Sequence, residues 1–466
     1  MLDTASIPTA PPTDAGTDVR SAPEPRTGAI RTGAIRTGAI RTGAIRTLGS
    51  NPATAPIMLH PGDAISNARR VVYIVLLGAL TALGPFTVDL YLPAFPVLEA
   101  DFQTTAAAIQ LTLTGTMLGF ALGQLIVGPL SDKVGRRIPL LSVTALHVVA
   151  STAAALAPTL IMLGAARVFM GMGAAAGGVV AMAIVRDLFG GRRLVVMLSR
   201  LALVSGVAPV IAPLIGSALL AVMPWRGIFV VLAIYGGLML TFSLFLLPET
   251  LPKARRGGGP GTSVLQRYRS VLSDRVFIGV LIVGAMSFSG LFSYLSSSSF
   301  LFQVTFGFDA QQYGLLFAVN SLGVVGGVQV ASRLAARFGP QWVMAYSTGL
   351  MLVASTAIIV LDQLGAGIWG VIVPLFVFVT AFGFTMPCVQ VLALDRHGKA
   401  AGTAASLIGA TNFGVAALIS PIVGSIARDA GITASTMAVV MVGCGVVGVT
   451  ALWAVVRPRT IGLLTP

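Results

Sequence analysis

The sequence predicts an all-α integral membrane protein with twelve transmembrane helices in two pseudo-symmetric halves of six. Three observations predict it: a charge-poor apolar composition, a succession of apolar runs of spanning length, and basic residues gathered in alternate connections. Hydrophobic residues make up 55% of the chain and charged residues 10%, and mean hydropathy is +0.90. Ordinary globular chains carry about a quarter charged residues, so no soluble fold of this length hides so much apolar surface. A bilayer crossing needs about 20 predominantly apolar residues, and such runs recur from Val71 onward.

Residues 1–68 are rich in Pro, Ala, Thr and Gly, with RTGAI repeated in tandem from Arg26 to Ile45. This reads as a disordered, low-complexity cytoplasmic tail, and it has no apolar stretch of the kind a secretory signal needs. Translation from Met58 would leave instead a short tail ending in Arg69 and Arg70. The N-terminal half, 69–250, is predicted to hold helices at 71–95, 105–130, 138–157, 160–188, 197–221 and 228–247. A basic, Gly-rich cytoplasmic linker at 251–274 interrupts the pattern. The C-terminal half, 275–466, repeats it at 276–300, 311–332, 341–361, 367–393, 400–425 and 433–456.

Charge then orients the chain. With the N-terminus inside, the inner segments hold basic groups at Arg69, Lys133, Arg136, Arg137, Arg186, Arg192, Lys253, Arg255, Arg333, Arg396, Lys399, Arg457 and their neighbours, against only Arg226 and Arg428 outside. Alternation of this kind is the positive-inside pattern, and one missed helix would scramble it. Both termini are therefore expected in the cytoplasm. The net charge of +14 reports topology, since the cations are dispersed and form no nucleic-acid-binding patch. Cys388, Cys444, His60, His147 and His397 show no metal-ligand spacing.

An internal repeat supports the two halves. GPLSDKVGRR (Gly128–Arg137) follows the second helix and SRLAARFG (Ser332–Gly339) follows the eighth, pairing Lys133 with Arg337 and Gly135 with Gly339. Parallel six-helix repeats are a known transporter architecture with the substrate site between them.

The motifs TVDLYLPAFP (Thr87–Pro96), GPLSDKVGRR (Gly128–Arg137), RVFMGMGAA from Arg167 and APVIAPLIGS (Ala208–Ser217) together resemble the major facilitator superfamily, and within it the drug:proton antiporters of the Bcr/CflA multidrug-resistance type. TVDLYLPAFP (Thr87–Pro96) is similar to that subfamily's first-helix hallmark, and GPLSDKVGRR to the superfamily's loop signature. RVFMGMGAA from Arg167 resembles the arginine motif of the fourth helix, with Met170 where Gln is common. APVIAPLIGS (Ala208–Ser217), containing Pro209, Pro213 and Gly216, resembles the antiporter motif, with small residues Ala208, Ala212 and Ser217 where glycine is frequent. The resemblance implies the major facilitator fold in a bacterial inner membrane, and multidrug efflux by proton antiport that confers antibiotic resistance.

Asp89 is an acidic residue inside an apolar run with no compensating charge nearby in sequence. Burying it ionised is costly, so it is expected to take up and release protons. Counting from Pro96 and Pro158 at about 1.5 Å per residue puts Asp89 and Arg167 at matching depth, roughly 10 to 14 Å below the outer surface, and makes Arg167 the expected partner. The plainer alternative is that Asp89 only ends the first helix beside Pro93 and Pro96 while Arg167 snorkels outward. In the loop motif, Gly128 and Pro129 are expected to end the second helix and Gly135 to allow a tight reversal. Asp132, Arg136 and Arg137 are expected to latch the cytoplasmic side, or simply to anchor topology by charge. By the repeat, Ser293 stands where Asp89 would be and Ala336 where Asp132 would be, so coupling is assigned to the N-terminal half and substrate binding mainly to the other.

Possible substrate contacts are Tyr91, Tyr294, the run Ser296–Ser299, Phe300, Phe302, Gln303, Phe317, Asn320, Gln390 and Asn412. Aromatic faces with a few uncharged polar groups suit small hydrophobic or amphipathic compounds. The expected partners are such compounds, protons and the lipid bilayer, with no nucleic acid and no cofactor other than the coupling proton, and the chain is expected to act as a monomer. Rival functions are a proton-coupled importer or exporter of a sugar or other metabolite on the same fold and, more remotely, a membrane enzyme. The first calls for more cavity charges than Asp89 and Arg167, and the second for a metal cluster or nucleophile set that this sequence lacks.

Overall fold

The computed structural model describes residues 65–253, 256, 264–397, 401–426 and 431–460. Its helices are α1 (Asn67–Asp89), α2 (Phe95–Asp101), α3 (Ala106–Val134), α4 (Arg137–Ala155), α5 (Leu160–Leu188), α6 (Gly191–Val222) and α7 (Arg226–Leu246), then α8 (Val264–Leu272), α9 (Arg275–Phe300), α10 (Ala310–Phe338), α11 (Pro340–Gln363), α12 (Trp369–Asp395), α13 (Ala401–Ile426) and α14 (Ala434–Ala451). Among the described residues, twelve helical stretches are long and apolar enough to cross a bilayer. Each predicted run corresponds to one of them. The expected tail falls outside the described residues except for its last four, of which Asn67 and Ala68 already belong to α1. Arg255, Lys399 and Arg428 also lie outside them.

Local chemistry sets the helix ends. Thr105, Thr159 and Asp309 cap α3, α5 and α10 with side-chain oxygens that take an orphan backbone N–H. Two expectations are corrected at this level. Gly128 and Pro129 do not end the second span: α3 runs through both to Val134, because a proline removes only one ladder hydrogen bond and neighbouring turns hold the helix. The stop is Gly135, at φ 113, where a side chain would collide with the Glu249 carboxylate. The linker at 251–274 is not wholly solvated either. It contains α8, whose Val271 is buried, and Asp274 at its end caps α9 through the Val276 amide.

The first six spans pack among themselves, as do the last six, and the halves meet where α3 lies on α13 and α6 on α10. These seams are tight at the end bearing Pro93, where Gly424 abuts Ala107 and Gln110, and Gly314 abuts Ser217 and the Pro213 carbonyl. They extend to Gly409 against Gln124 and to Gly206 against Val325, beyond which Gly128 faces only Val179 of its own half. The apolar cores follow the same division. One core, including Tyr91, Phe95, Phe300 and Phe317, joins both halves at the Pro93 end. At the opposite, basic end the first half has its own core around Leu77, Leu140 and Val180, and the second half another around Phe277, Met344 and Val389. The halves are thus joined at one end and separate at the other. Large apolar side chains such as Ile161, Phe245 and Leu418 point outward from the bundle, as a protein solvated by lipid requires.

Candidate functional site

The site grows from the break in the first span. Pro93 and Pro96 have no N–H to offer the carbonyls four residues before them, so α1 stops at Asp89 and resumes as α2 after a 3-10 turn at Leu92–Ala94. A broken helix leaves carbonyls in its last turn without amide partners. Arg167, about two turns into α5, takes one: its Nη1 donates to the Thr87 carbonyl at 2.7 Å. Its guanidinium also lies 4.3 Å from the Tyr91 ring centroid and 5.8 Å from that of Phe229. Tyr91 is fixed in turn by a 3.0 Å hydrogen bond between its hydroxyl and Thr112. Arg167 is completely buried and does not snorkel, and its Nε and Nη2 have no partner.

Asp89 is 6% exposed and makes no hydrogen bond or ion pair among the described residues. The expected Asp89–Arg167 pair is therefore not formed. Two residues along a helix turn the side chain by about 200°, so the group that follows Thr87 by two faces away from the guanidinium bound to that carbonyl. Asp89 instead lies within Coulombic reach of Tyr294 on α9 and Tyr313 on α10, across the seam. These tyrosines belong to a connected polar and aromatic cluster. The Asn320 amide donates to the Tyr294 hydroxyl at 3.0 Å, Tyr313 and Ser298 share a 2.9 Å bond, and Phe317 stacks on Tyr294 with centroids 5.9 Å apart. The Asn320 oxygen is buried and unpartnered.

Of the residues expected to touch substrate, Tyr294, Phe317 and Asn320 come together in the second half, between α9 and α10. Tyr313 completes that group and was not expected, although Tyr313, Phe317 and Asn320 form an i, i+4, i+7 stripe readable in the sequence. Tyr91 is instead committed to Arg167. Phe300 packs on Phe95, and Gln303 donates to the Pro93 carbonyl at 3.1 Å and to Ser299 at 2.7 Å. Ser296–Ser299 are fully buried, and Gln110 of α3, also unexpected, donates to the Ser296 carbonyl at 3.1 Å. Phe302 is buried among Phe306 and Phe308. These groups close the Pro93 end. Asn412 lies apart, beside Gly284, with its oxygen unpartnered. Its neighbour Phe413 stacks on Phe120 of the first half at 4.8 Å and meets Phe288 edge-on at 5.0 Å. Gln390 is exposed on the far part of α12 and joins neither group.

In the antiporter-like motif, Pro209 and Pro213 sit inside an unbroken α6. Their carbonyls accept from Ser321 and Ser217. Gly216 lies against the Leu90 carbonyl, where a Cβ would overlap it, so α6 packs directly onto the break that follows Asp89.

The loop signature forms a second charged site at the basic end. Arg136 is 8% exposed and bonds Asp132 at 2.5 Å, Asp187 at 2.8 Å and the Ser131 hydroxyl at 2.8 Å. Glu249 accepts the amides of Arg136 at 2.8 Å and Arg137 at 3.4 Å, with Arg256 at 3.4 Å. Partial burial favours the neutral Glu249, but the amides of Leu251, Arg136 and Arg137 and the Arg256 charge outweigh it and hold the carboxyl below its ordinary range. Arg137 donates to the Leu244 carbonyl at 2.7 Å. Asp187 and Glu249 were not singled out from sequence. Their signal is position: both close spans that end where α3 ends.

Twelve spans in two halves whose apolar cores join at the Pro93 end and separate at the basic end, with a buried carboxyl beside their seam, have the arrangement of a multi-pass membrane transporter. The Major Facilitator Superfamily profile matches residues 76–421, and the chain belongs to that family. It is 33% identical over 394 residues to the uncharacterized MFS-type transporter YdgK of Bacillus subtilis, covering 84% of this chain and 97% of that one. It is 30% identical over 386 residues to the bicyclomycin resistance protein homolog of Haemophilus influenzae, covering 82% and 95%. Among solved structures, a bacterial homolog of the human lysosomal transporter Spinster aligns with a TM-score of 0.66 at 15% identity, over 86% of this chain and all of the other, a likeness of fold alone.

Proposed function

We propose that this protein exports small hydrophobic or amphipathic compounds, antibiotics among them, in exchange for protons, alternating between arrangements open at one end and then the other. The observation that carries the proposal is Asp89, a buried carboxyl with no partner among the described residues, beside the seam where the two halves meet. A carboxylate without donors or cations is too costly to bury ionised, so in the arrangement seen here Asp89 carries its proton, and losing it requires the surroundings to change. Arg167, anchored to the Thr87 carbonyl of the same half with Nε and Nη2 unpartnered among the described residues, is the cation that an ionised Asp89 reaches by turning its side chain about the end of α1. Tyr294, Asn320 and the Phe120, Phe288 and Phe413 group offer aromatic faces and uncharged polar atoms of the kind that tolerate varied amphipathic ligands. The similarity to a bicyclomycin resistance protein homolog supports a drug as cargo.

In this proposal the basic end and both termini are cytoplasmic, as the positive-inside rule asks, so the arrangement seen here receives substrate from the cytoplasm. The Arg136 and Glu249 contacts stay within the first half here and stabilise the outward-facing arrangement when the basic ends close. The chain acts alone, without a cofactor beyond the proton. The test is drug transport in proteoliposomes under an imposed proton gradient. Wild type is expected to move drug uphill, whereas Asp89→Asn loses uphill movement and retains downhill exchange, since linkage makes proton and drug binding reciprocal. Undiminished uphill transport by Asp89→Asn would defeat the proposal.

A further inference from the structure

Where α9 begins and the last span ends, two cations converge on one oxygen. Gly279 lets α9 lie directly on the π-helical turn Leu452–Val456, where a Cβ would meet Val456 at 2.6 Å. That approach carries Arg275, one turn earlier, over the turn, and its Nη2 donates to the Ala454 carbonyl at 2.6 Å. Arg457 Nε donates to the same carbonyl at 3.2 Å. Arg457 has left-handed backbone geometry, φ 54, which is uncommon for a residue with a side chain and aims its guanidinium back over the turn. Among the described residues neither arginine has an ion-pair partner. The nearest acidic group in sequence, Asp274, is taken by Arg396 at 2.9 Å and by the Val276 amide at 2.9 Å.

A carbonyl dipole cannot neutralise two guanidinium charges, and both side chains are exposed with further N–H donors in forked geometry, the arrangement that matches phosphate oxygens. The pair also stands at a definite depth. Arg275 opens one membrane-spanning stretch and Arg457 lies near the end of another, while Trp453, on the same π-helical turn, is 47% exposed, as tryptophans at the membrane interface are. Val446 and Val447 continue the exposed apolar face below it.

We propose that Arg275 and Arg457 hold the phosphate of an anionic membrane phospholipid, with Trp453 at its headgroup level and its acyl chains along the exposed face of α14. A free phosphate satisfies the two arginines but leaves the adjoining apolar face unused, so the lipid is the occupant that fits both. The site does not depend on what the protein transports.

Native mass spectrometry of the intact protein, released from detergent micelles supplemented with either phosphatidylglycerol or phosphatidylcholine, tests this directly. Wild type is expected to retain phosphatidylglycerol in preference. The Arg275→Gln/Arg457→Gln double variant is expected to lose that preference by about 25-fold, at about fivefold for each basic group near an anionic headgroup. Arg333→Gln, which removes an exposed charge from the same end of α10, is expected to bind as wild type does. As a second readout, phosphatidylglycerol should raise the thermal unfolding midpoint of wild type and leave that of the double variant unmoved. Equal lipid retention by the double variant overturns the proposal. So does an equal loss in Arg333→Gln, or displacement of the lipid by an equimolar amount of inorganic phosphate.

Discussion

The first and seventh spans occupy matching places in the two halves yet treat the same position differently. In the first half, α1 breaks at Asp89, Arg167 repairs the break from α5, and a carboxyl is left unpartnered at the seam. In the second, α9 runs unbroken to Phe300 and loosens only into the π-helical turn Leu301–Thr305. Ser293, the counterpart of Asp89 in the repeat, donates to the Met437 carbonyl of α14 at 3.2 Å, so it is spent inside its own half. The basic ends repeat the contrast: Arg136 gathers Asp132 and Asp187, whereas the second loop has Ala336 where the first has Asp132. Among the described residues, buried charge is confined to the first half, and in the proposed function that asymmetry is what couples movement of the halves to protons.

Moving the carboxyl is the harshest way to test this. Asp89→Ser combined with Ser293→Asp keeps the composition but is expected to lose proton-driven transport as fully as Asp89→Asn does. The new carboxyl would lie between α9 and α14, where burying a polar group without a partner costs about 1 to 3 kcal/mol or more, so thermal stability in detergent should also fall. Restored uphill transport in the double variant would mean that either half can carry the proton, and the asymmetry would lose its functional meaning.

A smaller effect is expected at Arg167. Arg167→Ala uncovers the Thr87 carbonyl and leaves a hole under Tyr91, at about 2 kcal/mol or more. Arg167→Lys retains the charge but not the planar face over the ring, and should recover only part of that stability. Full recovery with lysine would show that charge alone matters there. Thermal unfolding of the purified variants in a common detergent decides between the two.

The seam at the Pro93 end comes next. Gln110→Ala with Gln303→Ala removes the side-chain donors that reach the Ser296 and Pro93 carbonyls across the halves. At about 1 kcal/mol for each hydrogen bond, the balance between the two arrangements should move by about tenfold or more. Spin labels on exposed Val97 and Gln311, one in each half, would report the shift as a longer distance population. An unchanged distribution would assign closure to the apolar contacts, such as Phe95 with Phe300, and not to the amides.

Much of this was legible beforehand, because a bilayer imposes simple rules. Apolar length and alternating basic loops placed all twelve spans, and the loneliness of Asp89 in its run marked it out. Orientation about a helix axis was harder to read. Asp89 and Arg167 matched in depth, but Thr87 and Asp89 face opposite sides of α1, so the guanidinium found the carbonyl and missed the carboxyl. Gln110 and Phe413 act through partners far away in sequence, and no local pattern tells a seam from a lipid-facing surface when both are apolar. Pro129 misled because a helix held by its neighbours tolerates a proline that would stop one in water.

The smallest effect belongs to Glu249, the carboxylate that binds the Gly135 turn in the first half and has no described counterpart in the second. Its carboxyl is held below the ordinary range chiefly because backbone amides outweigh the cost of its partial burial. A depressed carboxyl contributes stability that is complete above its unfolded value and is lost as pH falls through the lower, folded one. Exposure of more than a quarter of its side chain limits the contribution to about 1 kcal/mol. Hydrogen exchange at the Arg136 and Arg137 amides should therefore be slow at neutral pH and gain protection-breaking openings, beyond the intrinsic pH dependence, only on acidification below the usual glutamate range. Glu249→Gln, which keeps an acceptor but not the charge, should flatten that dependence and leave the exchange of α10 and α11 at the corresponding Gly339 turn unchanged. If the acid-induced openings persist in Glu249→Gln, the turn is governed by Arg136 and its aspartates, and Glu249 is no part of what separates the two halves.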